Sequence, residues 1–275
     1  MFRKNNGKDT IEKKLDEDKG FELVETALKV PGVKVDRTKF LTKVLKNEVP
    51  QNVLDKAIAE GTDTAGIPVE IIRKAANECI KETKKASTTE SAITGLPGSV
   101  VGISVGVAAD LTQFHANLII LIQKLAYLYG MKDMCSTHAI MAFMGCAYGI
   151  HGMDTVVKII TKGMTKQYAK QAGKFILFTK PALYSISKKV AKSIGVSISK
   201  KGFAKAASKA VPVIGSVISA GLNWITFSPM AANLLKTLEE SYNKPLSENE
   251  IAIIEKMTEN NGSQFENSNI FDVTF

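Results

Sequence analysis

The sequence predicts an all-α fold, a multi-helix bundle with glycine-faced apolar helices at its centre, and three observations carry that prediction. Apolar residues recur at intervals of three and four along most of the 275-residue chain, while alternating strand-like runs are few. Two long stretches lack charge: Ala210 to Leu235, and Ser91 to Gln123 apart from Asp110. Within them, Gly98, Gly102 and Gly106, and then Gly215, Ser219 and Asn223, repeat every four residues. Each set falls on one helix face and lets another backbone approach closely, so the two helices are expected to pack together.

The elements follow in order. Residues 1–20 are charged and glycine-dotted, and a disordered tail is expected there. A helical lead-in is expected over 21–86. Phe21 to Val30 forms a short helix stopped at Pro31-Gly32, and Asp36 caps a second helix bearing Phe40, Leu41, Val44 and Leu45. Gln51 to Glu60 and Pro68 to Lys85 are the third and fourth, the latter opening on proline and ending in lysines. The main core is expected over 87–245. Its long helix follows the Gly95-Leu96-Pro97-Gly98 turn and runs to Leu128, either continuously or with a break near 108–110. After Tyr129-Gly130, Ser136 or Thr137 caps an apolar, methionine-rich helix over 138–150. Gly152 to Gly173 and Pro181 to Lys201 read as two amphipathic basic helices, before the second uncharged stretch. Over 246–275 a short helix and a tail are expected, with Ser247 and Glu250 spaced as a capping box.

Charge narrows the function. The net charge is +9, yet from Thr155 to Leu238 fourteen lysines meet no Asp, Glu or Arg, which leaves −5 for the remainder. Lys158, Lys162, Lys166, Lys170 and Lys174 recur every four residues, and Lys188, Lys189 and Lys192 continue the pattern. Solvated faces normally mix signs, so these eight lysines are the candidate binding surface for an anionic partner. Arginine is the preferred reader of base edges, and its absence from the block favours an anionic membrane surface, or a membrane protein complex, over nucleic acid. Three widely spaced cysteines (Cys79, Cys135 and Cys146) suit a reducing compartment rather than a disulfide framework. The charged N-terminus lacks the apolar segment of a signal peptide. A cytoplasmic protein, peripheral at the inner face of the membrane, is expected. Ala92–Ala109 and Val211–Leu235 reach spanning length, but their polar and small residues favour burial inside a bundle over insertion.

Asp110 is the weak catalytic candidate, being the one charge within its apolar run, with Gln113, Asn117 and Lys124 along the same side. A buried carboxylate satisfied by neighbouring donors is the structural alternative, and without a second acid nearby it is preferred. His115, His138 and His151 show no ligand spacing with Cys135 or Cys146. No cofactor and no metal are expected, and the oligomeric state is not specified by the sequence.

One resemblance covers about residues 88–240. Thr94-Gly95-Leu96-Pro97-Gly98, the glycine-rich helix ending in Ala109-Asp110, Gln123, Ala126-Tyr127-Leu128-Tyr129-Gly130, Val211-Pro212-Val213-Ile214-Gly215 and Asn223 together resemble the EcsC family. The positions matching its pattern are Gly95, Pro97, Gly98, Asp110, Tyr129, Gly130, Gly215 and Asn223. The resemblance implies a bacterial-type, helical, cytosolic or membrane-associated protein linked to transport, secretion or envelope processes, with no catalytic residues to carry over. A non-enzymatic, membrane-associated protein is the principal expectation. The alternative is an enzyme or lipid-binding protein with a pocket near Asp110.

Overall fold

The computed structural model describes residues 6–88, 107–132, 134, 136–163, 184, 186–195 and 220–259. Ten helices and no strand occur among the described residues: α1 (Asn6–Leu28), α2 (Arg37–Leu45), α3 (Gln51–Glu60), α4 (Val69–Thr88), α5 (Val107–Leu128), α6 (Thr137–Ala147), α7 (Met153–Gly163), α8 (186–195), α9 (Ala220–Ser241) and α10 (Glu248–Glu259). The all-α, multi-helix fold is therefore observed.

The centre is α5. From Ala116 to Leu128 nearly every side chain is buried, and the helix packs against α1, α2, α4, α6 and α9. Its low charge explains the position, because an element that is apolar all round must be enclosed. Helix α4 packs on both α5 and α9, and α6 and α7 pack on α9 as well. One apolar core runs from Val24 through Phe143 to Tyr242, so the segments expected as lead-in and core share a single interior. The glycines at 98, 102, 106 and 215, with Ser219, lie outside the described residues. The expected contact between those two faces lies outside them too; the described parts of the two helices, α5 and α9, touch.

Local signals at the helix ends hold. Asp36 Oδ1 accepts from the Lys39 backbone N–H at 3.0 Å, capping α2. Ser247 and Glu250 form the expected reciprocal box: Ser247 N–H donates to Glu250 Oε2 at 2.7 Å and Glu250 N–H to Ser247 Oγ at 3.3 Å. Ser136 takes the N-cap position of α6, without a side-chain hydrogen bond.

The N-terminal expectation needs correction. Residues 6–20 are not a disordered tail but the first half of α1, continuous through Leu28. Their composition is too polar to announce burial; contact comes instead from small residues. Gly20 lies against the Ala191 carbonyl, and Gly195 against the backbone of Asp16, so closely that a Cβ at either glycine would overlap its neighbour. Close backbone approach to α8 thus positions this half of α1, with Val24 and Ala27 entering the core further on.

Among the described residues, no helix is long and apolar enough to cross a membrane. Residues 92–106 and 211–219 of the two spanning-length stretches lie outside them.

Candidate functional site

The polar stripe of α5 is largely occupied internally. Gln113 Nε2 donates to Asn117 Oδ1 at 3.1 Å. Gln123 fastens the α1–α2 connection to α5, accepting from Val35 N–H at 3.1 Å and donating to the Val33 carbonyl at 2.7 Å. The Lys124 ammonium stands 6.0 Å from the centre of the Phe40 ring. Asp110 belongs to α5, and its side chain, with the pocket expected beside it, lies outside the described ones. Nearby, His115 is fully buried, with Nε2 2.6 Å from the Tyr148 hydroxyl and the Phe114 ring edge-on at 5.4 Å. Burial drives the Tyr148 hydroxyl far above its ordinary pKa, which keeps it neutral.

A second polar constellation surrounds the family-pattern residues Tyr129 and Gly130. Gly130 ends α5 in a Schellman motif: its N–H donates to the Tyr127 carbonyl, and Met131 N–H to that of Ala126. Its φ of 96° disfavours any residue with a Cβ, and the Asp63 carboxylate fills the space a Cβ would need. Arg37 closes this corner with all three guanidinium nitrogens. They donate to the backbone carbonyls of Met131 (3.1 Å), Ala57 (2.8 Å) and Ile58, joining the ends of α3 and α5. Thr62 adds a bond to the Leu128 carbonyl at 2.7 Å. Tyr129 stacks edge-on against Tyr242 and donates to Glu239 Oε1, which also receives Arg73. Only Asp63 Oδ1 is buried without a partner in this corner, and desolvation raises its carboxyl above the ordinary value. The arrangement joins helix ends. It has the bonding of a structural fastening rather than the open geometry of a reactive site.

The lysines divide into two groups. Lys158 and Lys162 on α7 do not join a free anionic-binding face, and that expectation is corrected for both. The Lys158 ammonium lies 2.7 Å from Glu240 Oε2, with Asp154 Oδ2 at 3.9 Å. Lys162 is 7% exposed, and its ammonium meets both oxygens of Glu250 at 2.8 Å. The acids lie outside the acid-free block in sequence but return to it in space, which the linear pattern could not reveal. Lys166, Lys170 and Lys174 lie outside the described residues, as do Gly95, Pro97, Gly98 and Gly215. Asn223 belongs to α9, with its side chain likewise not described.

The α8 lysines are different. Lys189 is exposed, and Lys188 and Lys192 are half-buried. Beside them stands Tyr184, 50% exposed and the one exposed large hydrophobic among the described residues. Lys188 Nζ lies 4.9 Å from the centre of its ring, and the His138 ring meets the tyrosine edge-on at 5.8 Å. His138 Nδ1 is also 2.9 Å from Ser187 Oγ, which ties α6 to α8. Sequence reasoning missed Tyr184; the available signal was an aromatic residue next to a lysine cluster.

The described thiols have no reactive setting. Cys79 and Cys146 are buried, and desolvation pushes each thiol up to about 11. Among the described residues, no group of three or more His, Cys, Asp or Glu side chains could hold a metal ion.

No protein-family model, curated protein or solved structure matches this chain. The resemblance to the EcsC family therefore rests on the residues quoted for it. Fold and geometry together define an all-α protein with a tyrosine- and lysine-bearing surface on α8.

Proposed function

We propose that this chain is a non-enzymatic, peripheral membrane-associated protein whose α8 surface engages anionic lipid headgroups on the cytoplasmic face. The observation that carries the reading is exposed Tyr184, with Lys188 against its ring and Lys189 and Lys192 close by in the helix. Tyrosine suits a lipid–water boundary because its ring is apolar and its hydroxyl is polar. Lysines beside it contribute about 1 kcal/mol each near an anionic leaflet. This supports attraction without a spanning helix. The resemblance to EcsC would connect such a protein with transport, secretion or envelope processes, and a membrane protein complex is a compatible partner.

Fractionation of cells expressing the full chain tests the reading. The protein is expected in the membrane pellet and released by a high-salt wash. Recovery wholly in the supernatant at low salt would contradict membrane attachment. Retention through alkaline carbonate, with aggregation excluded by flotation, would contradict a peripheral mode.

A further inference from the structure

We infer that the first half of α1 is an acidic clasp on the lysine-bearing side of α8. It weakens the attraction of that side for anionic headgroups and lifts away when the surface engages a membrane. The inference rests on the surface reading above and assigns its regulation. Lys188, Ala191, Lys192 and Gly195 follow one another at intervals of three, one and three, and so lie along one side of α8. Two contacts place α1 on that side. Gly20 lies against the Ala191 carbonyl, and one turn earlier the Asp16 backbone lies against Gly195. The two helices therefore run antiparallel, with their backbones in close approach.

The side chains along this seam match in charge and in burial. Asp16-Glu17-Asp18 is a run of three acids, and it meets a helix from the block in which fourteen lysines have no acid of their own. Asp16 and Glu17 are half-buried while Asp18 is exposed. On α8, Lys188 and Lys192 are half-buried, whereas Lys189, turned to another side, is exposed. Helix α1 thus covers part of the lysine strip and brings carboxylates beside it. Lys188 also stands over the Tyr184 ring, so the covered strip continues into the proposed membrane contact.

The clasp can open without unfolding the core. From Val24 and Ala27 onward α1 is fixed in the main interior. Before Gly20, the described side chains of Lys14, Asp16, Glu17, Asp18 and Lys19 are exposed or half-buried. Gly20, at the join of the two halves, is a weak point in a helix interior. Anionic headgroups offer the lysines the same oxygen chemistry as the carboxylates, so membrane and clasp compete. The coupling is reciprocal: whatever lifts the clasp strengthens membrane binding, and membrane binding lifts the clasp.

The experiment combines vesicle flotation with hydrogen exchange on the full chain, using phosphatidylserine-containing and pure phosphatidylcholine vesicles. Changing Asp16→Asn, Glu17→Gln and Asp18→Asn together removes the charges and keeps the glycine contacts, which are made with backbone atoms. A control, Glu70→Gln with Glu78→Gln and Glu82→Gln, removes as many charges from exposed residues of α4, which packs on α5 and α9. Wild type is expected to lose amide protection over 8–19 only with the anionic vesicles. The α1 variant is expected to partition at least about fivefold more strongly than wild type, the effect of one charge near the surface, and the control less than about twofold. A folded α1 variant that partitions like wild type, or no more strongly than the control, would overturn the clasp while leaving the surface reading intact. Bound wild type with α1 protection unchanged would do the same. If the α1 variant fails to fold, as circular dichroism would show, the wild-type exchange result decides. Wild type and both variants failing to float would overturn the surface reading and the clasp with it.

Discussion

Helices α7 and α8 look alike in sequence, each with lysines opposite an apolar stripe, yet their charges have different surroundings. On α7, Lys158 and Lys162 meet Glu240 and Glu250 from helices that follow much later in the chain. On α8, Lys188 meets an aromatic ring at the surface. The same spacing thus serves two purposes: holding helices together and presenting charge. What separates them is the neighbour that returns in space, and a lysine count along the chain does not report it.

The largest expected effect breaks the α7 side of this contrast. Lys162→Ala leaves Glu250 buried without its cation and should cost about 3–5 kcal/mol, read as a lower denaturant midpoint. Replacing the pair together, Lys162→Met with Glu250→Leu, should recover most of that loss, since well-packed apolar side chains replace buried ions at little cost. A second, smaller effect tests how α8 is positioned. Gly195→Ala places a methyl group against the Asp16 backbone and should cost about 1–3 kcal/mol. Hydrogen exchange should then show α1 losing protection before α5.

Both effects mark the limits of linear reading. Helices α2 and α10 were legible because their start signals are local: Asp36 and the Ser247–Glu250 box. The apolar character of α5 and α6 likewise announced their burial. The first half of α1 was illegible because a glycine-to-backbone contact with α8 holds it, and hydrophobic periodicity carries no trace of such a contact. Within the candidate site, the α8 lysines were found from the pattern. Tyr184 was not, and neither were Arg37 and Asp63, whose importance arises only where the ends of α3 and α5 meet.

Asp63 gives a pH-dependent effect of smaller size. Burial raises its folded-state pKa, so the folded protein favours the protonated form. Stability from this group is present below the ordinary aspartate value and is lost as pH rises through the folded value. Asp63→Asn should therefore melt above wild type at pH 7, with the difference vanishing below about pH 4. An equal difference at both pH values would show that Asp63 acts through something other than its charge.

The smallest stability effect belongs to α8. Changing Lys188, Lys189 and Lys192 together to glutamine should alter stability by no more than about 0.5 kcal/mol per position. Against the Lys162→Ala result, that would separate presented charge from structural charge.

The most direct measurement is flotation of wild type and this triple variant with phosphatidylserine-containing vesicles across a salt series. The account predicts salt-sensitive binding of wild type, and about a hundredfold weaker partitioning of a variant with an unchanged melting curve. Equal partitioning of the two proteins would contradict it.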